Sequence, residues 1–342
     1  MKKIIIIGAG AMSSAFAVPC VENKNDVTIV GTHLEDNLIK DIISNDHFHP
    51  GLKTKLPKEI KFTQFNELQS VLGKDIDLIV AGISSVGIEW FVNQISKNYK
   101  NKLPIVLLTK GLSIVDNELT TLSDKIKNLL EKDGCSEINI SAIKGPCLAA
   151  GLANKMRTGT VIANQDIKEC QSLKNIISTN YYSTEISEDI AGIELSGAIK
   201  NIYSMLIGAS EGLSNSKASK EVRSKYFLNT AASLIHRSIS EMVEFVSYYG
   251  GKPETVYGLA GLGDLYVSAI GGRNSLMGKY LGEGYLYNEA KEKFMKDTTV
   301  EGAQLALEIG PKILKDLDPK SFPLMFSMLN TICDNKKLEI NW

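Results

Sequence analysis

The sequence lacks any run of about 18 consecutive apolar residues, the length a membrane-spanning helix needs, so none is expected. It also lacks an excess of charge of either sign. Lys and Arg total 38 against 39 Asp and Glu, a formal net charge of −1. No broad field therefore points to nucleic acid or to an anionic membrane, although a local basic pocket stays open. The five cysteines, Cys20, Cys135, Cys147, Cys170 and Cys333, include no C-x-x-C pair. Their wide spacing argues against a zinc site or a disulfide framework and for reduced thiols in the cytoplasm. The four histidines, His33, His47, His49 and His236, form no H-E-x-x-H arrangement. His47 and His49 stand in a polar, Pro-containing segment and read as loop residues. There is no internal repeat and no low-complexity linker.

A length of 342 residues exceeds one ordinary core and suits two closely packed domains. Apolar residues at 44% and charged residues at 23% are an ordinary globular balance. The start of the chain loosely imitates a secretory leader ending at Cys20, with Lys2 and Lys3 before four isoleucines. Gly8, Gly10, Ser13 and Ser14 interrupt that apolar run, and Pro19 stands just before the cysteine. A strand, a turn and a helix account for the same residues better.

Short apolar runs at Lys3–Ile7, Val27–Val30, Asp77–Ala81, Ile105–Thr109 and Ile138–Ile143 read as strands buried on both faces. Helix-like stretches, including Val86–Ser96 and Glu118–Glu131, fall between them. The alternation predicts a doubly wound parallel sheet with helices on both faces. The pattern changes after about residue 185. Residues 188–212 read as one long helix, and Ile235, Ile239, Met242, Val243 and Val246 recur at helical spacing. The fold expected is α/β plus all-α: a dinucleotide-binding domain over 1–186 and a mostly helical domain over 187–342.

Gly8-Ala9-Gly10-Ala11-Met12-Ser13 directly follows the first strand. The first glycine permits the tight turn, and the second lets backbone approach a pyrophosphate. The helix N-terminus beyond offers free N–H groups and partial positive charge. Ser13 stands where a third glycine is usual, and Pro19 would shorten or kink the helix unless it is accommodated locally. At the end of the second strand, Val30-Gly31-Thr32-His33-Leu34-Glu35-Asp36 carries no arginine for a 2′-phosphate. Glu35 is placed either to reach a ribose or to be surface charge. This tilts the cofactor expectation from NADP toward NAD.

Four further segments carry chemistry. Thr109-Lys110-Gly111 and Gly145-Pro146-Cys147 lie past strand ends, where open α/β sheets bind ligands. Lys200 and Asn201 stand in a stretch of small and apolar residues, Gly197-Ala198-Ile199, unlike an ordinary exposed face. The glycine-rich Gly258–Asp264 leads to Gly271-Gly272-Arg273-Asn274. Bland readings stand beside these: Asp264 as a helix cap, Arg273 and Glu301 as first-turn helix charges, Lys110 as a loop charge. Cys147 reads as a packing residue rather than a nucleophile, because no histidine stands near it in sequence.

Together with Gly197–Asn201, Gly258–Asp264 and Glu301-Gly302, these segments resemble NAD(P)-dependent glycerol-3-phosphate dehydrogenase over nearly the whole chain. The resemblance implies an N-terminal Rossmann domain followed by an all-helical one. It also implies interconversion of dihydroxyacetone phosphate and glycerol 3-phosphate, feeding glycerophospholipid synthesis, and a homodimer. Lys200 matches the proton-transfer lysine, with Lys110 and Asp264 beside it as catalytic candidates. Lys110, Gly145, Cys147, Asn201, Asp264, Arg273 and Asn274 match the substrate site. Gly8, Gly10, Ala11, Met12, Thr32, Lys110, Ala149, Arg273 and Glu301 match the cofactor site; no metal is implied. Departures from the family pattern are Ser13, Cys147 in place of Ser or Thr, Gly272 in place of Ser, and a shorter stretch from Asp264 to Arg273.

The chemistry suits these residues. Reducing a ketone needs a hydride at carbon and a proton at oxygen. An ammonium stabilises the developing alkoxide and then protonates it. The ordinary lysine pKa of ~10.4 would fall through burial or the nearby charge of Lys110, and rise beside Asp264. The planar fork of Arg273 binds two phosphate oxygens together. Two other readings remain: a related two-domain reductase acting on a different small hydroxy or keto acid such as ketopantoate, and a non-catalytic dinucleotide-binding protein.

Overall fold

The computed structural model describes residues 1–73, 75–99, 103–213 and 219–340. The chain forms two compact units that interleave in sequence. Unit 1 comprises Met1–Lys110 with Leu122–Ile190, and unit 2 comprises Gly111–Thr121 with Ala191–Trp342.

Unit 1 is built on an eight-stranded sheet. Its strands are β1 (Lys3–Ile7), β2 (Asp26–Val30), β3 (Lys61–Thr63), β4 (Leu78–Ala81), β5 (Pro104–Leu107), β6 (Asn139–Lys144), β7 (Thr158–Ala163) and β8 (Tyr182–Ser187). Their spatial order is β8-β7-β6-β5-β4-β1-β2-β3. All neighbours run parallel except β6 and β7, which are antiparallel. The order reverses between β1 and β4, so the switch point lies there. The isoleucines of β1 explain the continuous apolar run. Ile4 and Ile6 pack into one core with helix α1 (Ala11–Glu22). Ile5 and Ile7 pack into the other, with α2 (Ile88–Ile95) and α3 (Leu122–Lys132). Alternate side chains face opposite layers, and both layers are dry.

The expected doubly wound sheet and helical second half are both present. Five expected strands match β1, β2, β4, β5 and β6; three more, β3, β7 and β8, were not anticipated. The helix expected over Glu118–Glu131 begins only at Leu122. Residues Glu118–Thr121 instead pair antiparallel with Leu112–Val115. Asp116 and Asn117 turn that hairpin with φ of 51° and 63°, the positive pair that a two-residue hairpin turn demands. Leu112 is buried in the core of unit 2, which accounts for the interleaving. Helix α1 continues through Pro19 to Glu22. His49 is not a loop residue: Phe48–His49 pairs with Thr54–Lys55, and the imidazole is buried.

Unit 2 contains no strand after Thr121 among its described residues. The long helix expected over 188–212 is α4 (Ile190–Gly208), followed by a separate short turn of helix at Ser210–Leu213. Every residue of α4 from Gly192 to Ile207 is buried. Around it lie α5 (Leu228–Tyr248), α6 (Asp264–Ile270), α7 (Arg273–Gly282), α8 (Glu301–Asp316) and α9 (Pro323–Cys333). Glu241 of α5 accepts from Leu324 N and Met325 N at the start of α9 and from the Tyr203 hydroxyl of α4. Burial pushes the Glu241 carboxyl above its ordinary pKa.

Helices α4 and α7 touch through glycines. A Cβ on Gly278 would lie 1.9 Å from the Met205 carbonyl oxygen, and one on Gly208 2.3 Å from that of Ser275. A Cβ on Gly302, at the start of α8, would lie 2.4 Å from the Asn201 oxygen. Gly278→Ala must therefore push α7 away from α4. The expected loss is about 1–3 kcal/mol, as for other overpacked cores, read as a lowered urea midpoint. An unchanged midpoint would show that the two helices do not meet there.

Candidate active site

In unit 1, Gly8, Gly10, Ala11 and Met12 of the expected cofactor residues lie beside the switch point. Gly8 ends β1 with φ +107°, and a Cβ there would lie 2.3 Å from the Gly82 carbonyl oxygen just past β4. Gly10 is the N-cap of α1, and a Cβ on it would meet no atom within 4 Å. Ala11 and Met12 open the helix beyond it. This open, glycine-lined helix start fits a dinucleotide pyrophosphate.

Ser13 works in place of the third glycine because the space was cleared on the other side. Its hydroxyl donates to the Gly82 carbonyl at 2.8 Å, and a Cβ on Gly82 would come within 2.1 Å of that hydroxyl oxygen. Gly82 thus takes over the close-packing role. Glu35 braces this loop. One of its carboxylate oxygens accepts from Ala9 N at 3.0 Å and Thr32 N at 2.8 Å, tying the loop to the end of β2.

A second group lies at the tips of β5 and β6. The Lys110 ammonium is 3.5 Å from the Gly145 carbonyl oxygen. Gly145 has φ +148°, and a Cβ there would lie 2.9 Å from Thr160 Cα, so glycine is required. Cys147 N donates back to the Gly145 oxygen, closing a tight turn. Ala149 begins a short helix, Ala149–Ala153, that packs against α1.

In unit 2 six expected residues come together on α4, α6, α7 and the start of α8. The Lys200 ammonium is 2.8 Å from Asp264 Oδ1, and the two residues are 3% and 2% exposed. Lys200 also donates to the Ser268 hydroxyl, one turn beyond Asp264 on α6. Ser268 was missed because nothing in Tyr266-Val267-Ser268 marks it; only the helix beneath Asp264 brings it to the ammonium. A π-helical turn over Leu259–Gly263, tight enough that a Cβ on Gly261 would strike Val256, delivers Asp264 to that position.

Asn274 donates to the Asn201 side chain at 2.9 Å and accepts from Gly302 N at 2.9 Å. These bonds fix α4, α7 and the start of α8 to one another. Arg273 and Glu301, both partly exposed, form an ion pair through one terminal nitrogen of the guanidinium. Gly272 caps α7 at φ +145°, ψ 177°, a conformation that disfavours the serine usual in the family.

Sequence comparison with known proteins shows the family. The model described as the N-terminus of NAD-dependent glycerol-3-phosphate dehydrogenase matches residues 3–170, and that of its C-terminus matches residues 189–340. The chain belongs to this family. It is 33% identical to the NADP(+)-dependent glycerol-3-phosphate dehydrogenase of Archaeoglobus fulgidus, over 92% of this chain and 91% of that one. It is 32% identical to the glycerol-3-phosphate dehydrogenase [NAD(P)+] of Mesoplasma florum, over 96% and 93%. The crystal structure of glycerol-3-phosphate dehydrogenase from Coxiella burnetii shares the fold, with a TM-score of 0.80 at 23% identity over 98% of this chain and 96% of that one. The glycerol-3-phosphate dehydrogenase family uses NAD or NADP, and no helix among the described residues is long and apolar enough to cross a membrane.

A buried ion pair costs most when only one partner is removed, because the other charge is left uncompensated. Lys200→Met and Asp264→Asn are each expected to lose about 3–5 kcal/mol of unfolding free energy. The joint Lys200→Met/Asp264→Leu variant should lose much less than their sum. Additive losses in urea titrations would show that the two charges are not coupled.

Proposed function

We propose that this chain interconverts dihydroxyacetone phosphate and sn-glycerol 3-phosphate, with NAD(H) or NADP(H) as hydride partner. The observation that carries the proposal is the buried Lys200–Asp264 pair, on the same helix framework that presents Arg273 and Asn274. The bound nicotinamide would supply or accept the hydride.

The chain's own residues handle the remaining tasks. Lys200 donates the proton to the carbonyl oxygen during reduction and takes it back during oxidation. Asp264 and Ser268 hold its ammonium in place. Only one terminal nitrogen of the Arg273 fork is engaged by Glu301, so further N–H donors remain for the substrate phosphate. Asn201 and Asn274 hold the helices that carry both cations in register.

Gly8, Gly10, Ala11 and Met12 would hold the pyrophosphate, with Thr32, Lys110, Ala149, Arg273 and Glu301 as further cofactor contacts. Lys110, Gly145 and Cys147 complete the proposed substrate contacts. The Glu35 carboxylate at the end of β2, with no arginine between residues 31 and 36, favours NAD over NADP by opposing a 2′-phosphate. A cytoplasmic location belongs to the same reading, from the wide and irregular spacing of the five cysteines. A homodimer is part of the same reading, carried by family resemblance alone.

The test is oxidation of NADH that depends on dihydroxyacetone phosphate. Lys200→Met should lower kcat by about 10²–10⁴-fold while the protein still binds NADH. Arg273→Ala should weaken substrate capture by about 2–5 kcal/mol, chiefly in KM. No turnover of dihydroxyacetone phosphate by an NADH-binding protein would overturn the proposal. An unchanged KM in Arg273→Ala would favour a non-phosphorylated substrate.

A further inference from the structure

The two peptides on either side of Ala9 are held by side chains from outside the loop. Glu35 accepts from Ala9 N. The Ala9 carbonyl receives two donors: the Ser14 hydroxyl at 3.1 Å, and Nε2 of His49 at 3.0 Å. His49 reaches it from the hairpin Phe48–His49/Thr54–Lys55, whose Leu52 and Leu56 are buried in the same core as Ala9. The imidazole is 2% exposed. Its other nitrogen, Nδ1, accepts at 3.2 Å from Leu52 N, whose N–H is shared with the His49 carbonyl oxygen at 3.1 Å. That acceptance leaves Nδ1 without a proton and assigns the ring proton to Nε2, directed at Ala9.

We infer that His49 is a positioning residue for dinucleotide binding, acting through the Ala9 carbonyl. The inference rests on the cofactor reading above. Its physical basis is the trans peptide. Carbonyl and N–H point in opposite directions across it. Fixing the Ala9 oxygen therefore fixes where the Gly10 N–H points, at the loop's one glycine that has open space around it. A loop already ordered in this way loses less freedom when a pyrophosphate arrives. Among the described residues, the carbonyl without His49 keeps only the Ser14 hydroxyl, which comes from within the helix that the loop begins.

A histidine that merely filled the core would serve stability alone, and three measurements separate the roles. His49→Leu keeps an apolar side chain but removes the donor. Its Kd for NADH should rise about tenfold, the loss of one buried hydrogen bond. Its kcat at saturating NADH and its KM for dihydroxyacetone phosphate should stay within about twofold. His49→Gln, whose amide can donate to Ala9 and accept from Leu52, should recover most of the NADH affinity. In the unaltered protein, nitrogen-15 NMR should show His49 protonated at Nε2, with that resonance moving when NADH is added.

Wild-type affinity in a folded His49→Leu protein would overturn the inference. So would a proton on Nδ1, or an Nε2 resonance indifferent to NADH. The last two stand even if His49→Leu does not fold. A wild-type protein that binds no NADH would overturn the cofactor reading itself.

Discussion

The ammonium of Lys200 rides on a helix with no exposed residue from Gly192 to Ile207. A charge in such a place must be met by another charge, or the group gives up its proton. The structure supplies Asp264, and much of unit 2 follows from that requirement. The π-helical turn of glycines over 259–263 brings the carboxylate in, and the glycines of α4, α7 and α8 let the helices approach closely enough to enclose the pair. The same close approach sets Asn274 between Asn201 and the Gly302 backbone. In the proposed mechanism, catalytic and structural demands fall on one set of contacts.

Unit 1 answers a different constraint, the close packing of α1 and its preceding loop against the strand tip at Gly82. Its fingerprint departs from the usual glycine spacing at Ser13, yet the geometry is kept. What the loop needs is room between α1 and the strand tip at Gly82. That room can be cleared from either side, and here Gly82 gives up the side chain. Glu35 and Thr32 then link the loop to β2, so that the loop is braced by neighbouring strands as well as by its own glycines.

The legible parts of this protein were those whose cause is local. The run Lys3–Ile7 matched a strand end to end because both faces are buried and the residues need no partner to declare themselves. Lys200 was legible because a lysine among Gly197, Ala198 and Ile199 has no reason to be solvated. The hairpin at 112–121 was misread because the helix signal of Leu122–Lys132 extends backward past a turn written in only two residues, Asp116 and Asn117. Strand β3 has three residues and too little pattern to show. Gly82, Ser268 and His49 escaped for another reason: each matters only through a group far away in sequence, at Ser13, Lys200 and Ala9. Glu35 was noticed, but its contacts with Ala9 N and Thr32 N follow from loop geometry that spacing does not encode.

The central claim is that this framework moves a hydride directly between nicotinamide and a three-carbon phosphate while Lys200 manages the proton. The most direct measurement follows deuterium from NADH labelled at the transferable nicotinamide C4 position, with dihydroxyacetone phosphate in ordinary water. The account predicts deuterium at C2 of glycerol 3-phosphate and ordinary hydrogen on its hydroxyl oxygen. Label lost to water, or NADH consumed without labelled glycerol 3-phosphate, would contradict it.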